Sequence, residues 1–172
     1  DHDAGSYDNF PFTLLVDTIP ATNPDACASA IALAAALPVV VTHNIDGAVN
    51  DFTFTQSTGQ CAVASTTTAA GPDHVYSFTP PAAGYYAVEL VSDAFDGVLY
   101  IDDTCPPAFG NGCLGASNHS TGGTSGGRHE MVVAYLQAAV PYWIYVDDGS
   151  TTAITGPYAL ISVSDTGVGM DR

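Results

Sequence analysis

The chain contains no lysine. Arg128 and Arg172 are its only arginines against 18 acidic residues, giving a formal net charge of -16 over 172 residues. Nucleic acid is nearly excluded as a partner, because phosphate binding needs a cationic footprint. An anionic membrane surface is disfavoured for the same reason. Glutamate is nearly absent too: Glu89 and Glu130 are the only two, and every other acid is Asp. Aspartate favours turns and caps and is poor inside helices, so the acids are expected mostly in loops. There is no uninterrupted apolar run of the ~20 residues that a spanning helix needs. The longest contender, Ala26 to Val41, contains Cys27, is broken by Pro38 and has no basic flank, so no membrane span is expected.

Catalytic signatures are missing as well. There is no H-E-x-x-H and no G-x-x-x-x-G-K-[ST], and the serines, including that of the one G-x-S-x-G match at Gly123 to Gly127, crowd into glycine-rich stretches unsuited to holding a triad. Glu89 falls inside a strand pattern and Glu130 at a strand start, where both read as surface residues rather than a glycosidase pair. His2, His43, His74, His119 and His129 show no ligand spacing. The expectation is a protein that is not an enzyme.

Four cysteines are present, Cys27, Cys61, Cys105 and Cys113, with no C-x-x-C pair, so two disulfides are expected rather than a zinc knuckle. They allow three pairings; order in the chain suggests Cys27–Cys61 and Cys105–Cys113 without fixing them. Disulfides imply an oxidising compartment, and the location expected is extracellular or at the cell surface. The sequon Asn118-His119-Ser120 marks Asn118 as a candidate glycan acceptor.

Asn23 as N-cap, Pro24 at the first helical position and Ala26, Ala30, Leu33 and Leu37 at helical spacing predict a short helix over about 24 to 36. The remaining texture is β: "VVVTH", "DFTFTQ", "HVYSFT", "YYAVELV", "GVLYI", "EMVVAYL", "YWIYV" and "YALISV" are β-branched and aromatic runs between Gly, Pro, Asp and Ser punctuation. Eight such runs predict an all-β fold, an antiparallel β-sandwich of jelly-roll type with one short N-terminal helix and an extended N-terminal arm. The stretch from Cys113 to Arg128, "CLGASNHSTGGTSGGR", is expected to be a long mobile loop. The aromatics Tyr85, Tyr86, Tyr142, Trp143 and Tyr145 can stack on sugars only where they share an outer face, and alternation puts half of them in the core.

The segments "NPDACASAIAL", "CAVAS…GPDHVYSFTPPAAGYYAVELVSDAFDGVLYIDDTC" and "YWIYVDDG…GPYALISV" together resemble the bacterial pre-peptidase C-terminal family of secreted β-sandwich modules, over about residues 23 to 164. The resemblance implies a non-catalytic module. Its "D-x-C-x-x-A" motif implies a Cys27–Cys61 bridge. It also implies calcium (Ca2+) bound near a Cys-Asn-Asp-Asp loop. The corresponding "CLGASNHS" has no acid before Glu130, which leaves Asp96, Asp102 and Asp103 as candidate ligands, with Asp147 and Asp148 a second acidic pair at a strand end.

The chain therefore divides into an arm at 1–22, a sandwich at 23–164 and a polar tail at 165–172. In the arm, "NFPFTLLVDTIP" places Phe10, Phe12, Leu14 and Val16 on one face of an extended segment, a strand in need of a sheet. Folded back, it adds an edge strand to its own sandwich. Added to a neighbour, it makes a heterologous contact that propagates into a filament. The second case expects copies of the chain itself as partners, with glycans as a further partner class. Its alternative is a monomeric calcium-binding accessory or adhesion module.

Overall fold

Seven of the eight β-branched and aromatic runs form strands in the computed structural model, which describes residues 23–55, 61, 69–108, 112–119, 128–149 and 156–164. The strands are β1 (Ile31–Ala32), β2 (Val39–Asn44), β3 (Asp73–Phe78), β4 (Gly84–Ser92), β5 (Gly97–Asp102), β6 (Cys113–Ser117), β7 (Arg128–Leu136), β8 (Tyr142–Asp148) and β9 (Pro157–Ser164). They form a five-stranded sheet in the order β1-β3-β8-β5-β6 and a four-stranded sheet in the order β2-β9-β4-β7. Every pairing is antiparallel except the short parallel one between β1 and β3. The expected antiparallel sandwich is what forms. The arm (1–22) and the tail (165–172) lie outside the described residues.

Between the sheets, Tyr76, Phe78, Leu99, Ile101, Ile144 and Val146 meet Val39, Val41, Val88, Leu90, Val132, Leu136 and Leu160. A second cluster covers the other face of the five-stranded sheet. There Val75, Val98, Tyr100 and Tyr145 lie under Phe54, Cys61 and Ala69, and the Tyr100 and Tyr145 rings stack at 4.6 Å. Hence β5 is buried at every position, while β4 alternates between inward buried and outward less buried residues. A sheet covered on both faces loses the period-2 signal, and a sheet covered on one face keeps it. Among the described residues, the four-stranded sheet has the uncovered face.

Three expectations are corrected. The helix over 24–36 is absent: a 3-10 turn at Cys27–Ser29 is followed by β1, which pairs with Tyr76 and Ser77. Of the residues at helical spacing only Leu33 is buried, because an alanine face offers little apolar area and sheet pairing overrides propensity. "DFTFTQ" makes a single bridge, Phe54 to Ala69, rather than a strand. Residues Cys113–Ser117, expected in a loop, form β6 against β5, and a Cβ at Gly115 would sit 2.7 Å from the Val132 side chain, so glycine permits this close approach to β7.

Candidate functional site: an acidic strand end and an uncovered sheet face

The disulfides join Cys27 to Cys105 and Cys61 to Cys113, not the pairs suggested by chain order and by the family motif. Cys61 belongs to the segment covering the five-stranded sheet, so its partner is the strand beneath it rather than its neighbour in sequence. The Asn118 amide is enclosed, with the residue 3% exposed, so the acceptor side chain is shielded in this fold. Glu130, expected on the surface, is buried as well. Its carboxylate accepts the His119 main-chain N–H at 2.9 and 3.0 Å and the Ser117 hydroxyl, which ties β6 to β7.

The antiparallel pairing of β5 with β8 sets Gly97 opposite Asp148 and Val98 opposite Asp147. Asp96, Asp147 and Asp148 therefore gather at one end of the sheet, and Asp102 and Asp103 lie at the other. Asp73 joins the first group, directly opposite Asp147 across β3 and β8. Sequence reasoning missed it as a site residue, and its only signal was its place at a strand start. Asp73, Asp102, Asp147 and Asp148 are fully buried, against the expectation that the acids sit in loops. Asp102 accepts the Thr104 N–H and hydroxyl at 2.9 Å and the Ala108 N–H at 3.1 Å, so it organises the turn after β5. Asp103 is exposed beside it.

Asp73 accepts the main-chain N–H groups of Asp51 and Phe52 at 2.8 Å each on one oxygen, while its other oxygen is buried without a hydrogen-bond partner and Asp147 is buried with only the main-chain N–H groups of Phe54 and Asp148 near its carboxyl. Burial pushes the Asp73 carboxyl up to about 7, against the pull of those two N–H groups. Burial, and then the Asp73 charge, hold Asp147 well above the usual carboxylate range. Two carboxyls opposite each other in a buried site are most stable with a proton on at least one of them. Among the described residues no three His, Cys, Asp or Glu side chains are arranged to hold a metal ion.

A buried polar chain lies on the other face of β3, toward β9. His74 contacts the Tyr158 hydroxyl through Nδ1 at 2.7 Å and Asn23 through Nε2, and Tyr158 in turn bonds Tyr76. Burial, with His43 beside it, lowers His74 to about 3, so the ring is neutral. The Asn23 carbonyl oxygen then accepts from Nε2–H, and Nδ1 accepts from Tyr158. Every ring in this chain is satisfied and structural.

The uncovered face of the four-stranded sheet is apolar at its β4–β7 side. Tyr85 faces Tyr135, Ala87 faces Val133 and Glu89 faces Met131. Tyr85, Met131, Val133 and Tyr135 are 48–59% exposed, and the two tyrosine rings meet edge to face at 5.3 Å. The one carboxylate in this stripe, Glu89, pairs with His129 at 2.9 Å. Of the aromatics singled out in the sequence, Tyr85 alone stands on this face; Tyr86, Tyr142 and Tyr145 are buried and Trp143 is half-buried. Met131, Val133 and Tyr135 were missed as surface residues; their signal is in "EMVVAYL", a strand apolar on both parities.

No family model and no curated protein matches the chain. Among solved structures it is similar to the pre-peptidase C-terminal domain of a collagenase from Bacillus anthracis, at 10% identity and a TM-score of 0.44, over 78% of this chain and 94% of that one. That domain carries the name of the family that the sequence resembles. The sandwich assignment itself stands on the strand order and the two packed sheets. No helix among the described residues is long and apolar enough to cross a membrane.

Proposed function

We propose that the chain is a non-catalytic extracellular structural subunit that assembles with copies of itself, residues 9–20 adding as a strand to a neighbouring subunit. The observation that supports this most directly is the stripe of half-exposed Tyr85, Met131, Val133 and Tyr135 on one sheet face. Apolar side chains gathered on one face, in a chain otherwise rich in acids, mark a surface that meets a partner. The two disulfides suit an oxidising exterior. Electron microscopy of the purified chain, with and without residues 1–20, tests the reading: fibres from the full chain and separate particles from the shortened one are expected. Undiminished fibres after the deletion would reject the arm, and monodisperse particles from the full chain would reject assembly.

The outward Tyr85–Tyr135 ring pair supports a second reading, a monomeric accessory module that contacts polysaccharide by ring stacking. Retention of a monomer on immobilised polysaccharide, lost on Tyr85→Ser, favours that reading over assembly.

A further inference from the structure

We propose that β7 is the strand edge that receives residues 9–20 of a second copy, so that subunits join head to tail with a fixed polarity. This rests on the self-assembly reading and names its acceptor. The two sheets have four edge strands among the described residues: β1 and β6 in one, β2 and β7 in the other. They are not equivalent. β1 has two residues, β6 five, β2 six and β7 nine, so β7 offers the longest row of main-chain groups for a new strand. A nine-residue edge is roughly 30 Å long, enough for the seven residues from Phe10 to Val16. Native sheets protect long edges with charged side chains or proline; β7 has no proline, and its charged residues, Arg128 and the buried Glu130, fall in its first three positions, leaving Met131 to Leu136 without either.

Side chains agree with the backbone. Met131, Val133 and Tyr135 project on the outer face of β7 and are 48–59% exposed. A strand added beside them with Phe10, Phe12, Leu14 and Val16 on that same face would extend the apolar stripe by one strand and cover its margin.

The place where the arm leaves the sandwich decides between its own edge and a neighbour's. Asn23 is bonded to His74 on β3, and the Pro24 carbonyl accepts the Val75 N–H, so the chain emerges on the flank formed by β3 and, across the core, by β2 and β9. β7 lies on the opposite flank, with β5 and β6 packed across from it. The two flanks of the four-stranded sheet are three strand spacings apart, roughly 14 Å. Folding back onto its own β7 would carry the arm across the whole sheet, and the edges on its own flank, β1 and β2, are the shorter ones. A second copy stacked flank to flank presents its β7 edge at the root of the arm. Donor and acceptor on opposite flanks make the contact heterologous, and repetition gives an open chain.

Two full-length variants test this. In one, Phe10, Phe12, Leu14 and Val16 are each changed to Ser, which spoils the donor. In the other, Met131→Lys and Val133→Lys spoil the acceptor at positions 59% and 49% exposed, where lysine is accommodated without disturbing the core. The lysines lower the net negative charge, so any lost assembly is not due to added repulsion. By analytical ultracentrifugation each variant alone is expected to be monomeric, and an equimolar mixture to form heterodimers and nothing longer, since one good arm meets one good edge. Normal assembly by the lysine variant would overturn β7 as the acceptor, and a mixture that stays monomeric would overturn the head-to-tail pairing. A wild-type chain that remains monomeric would overturn the self-assembly reading beneath both.

Discussion

At the scale of single residues, the buried titratable groups pull the pH dependence of stability in opposite directions. The Asp73 carboxyl rises from 3.8 to about 7 on folding, so the folded chain keeps a proton that the unfolded chain releases. Its contribution is fully present below about pH 4 and is lost as the pH rises toward 7. His74 falls from 6.5 to about 3, and its contribution is present above about pH 6.5 and lost as the pH falls toward 3. Asp73→Asn keeps an acceptor for the Asp51 and Phe52 N–H groups and removes the titration. It is therefore expected to stabilise the fold at pH 8, by on the order of 4 kcal/mol at most from a shift of about three units, and to change little at pH 4. Calorimetry at both values decides, and an equal effect at the two would show that the charge is not the cause. None of this was legible beforehand, because an aspartate at a strand start reads as a turn residue until the partner strand brings a second aspartate opposite it.

At the scale of elements, the strands that pack on hydrophobic partners were legible from β-branched and aromatic runs, and the two short ones were not. β1 hides in an alanine-rich stretch whose local preference is helical, and β6 hides in a glycine- and serine-rich stretch whose strand character comes from its β5 neighbour and from room beside Val132. The disulfides were hidden for the same reason, since pairing follows which elements overlie one another. Cys61–Cys113 closes a separation of 52 residues and fastens the segment carrying Phe54 over Tyr100 and Tyr145. Replacing both cysteines with serine is expected to cost about 4 kcal/mol in the loop-closure model. It should also raise quenching of Trp143, the only tryptophan, which packs against that cluster. Denaturant titration with fluorescence checks both. An unchanged midpoint and unchanged quenching would mean that the cover holds by packing alone.

At the scale of the molecule, charge and apolar surface compete. Each subunit carries -16, of which residues 1–22 contribute Asp1, Asp3, Asp8 and Asp17 with no Lys or Arg, so an arm approaching a neighbour brings like charge to like charge. The face it is proposed to reach is nearly free of charge: four large apolar side chains are half-exposed or close to it, and the single carboxylate is paired with His129. Apolar contact is short-ranged and little affected by moderate salt, whereas the repulsion acts over the Debye length, which shrinks from about 30 Å at 0.01 M to about 8 Å at 0.15 M. Raising the ionic strength across that range should therefore speed assembly severalfold while leaving the acceptor variant Met131→Lys/Val133→Lys monomeric, as read by light scattering at fixed protein concentration. Slower assembly in salt would mean that attraction between opposite charges, rather than a screened repulsion and an apolar edge, brings the subunits together. In a chain with two arginines and no lysine, that attraction would have to come from a bridging cation, so the same titration repeated with a chelator separates the two physical causes.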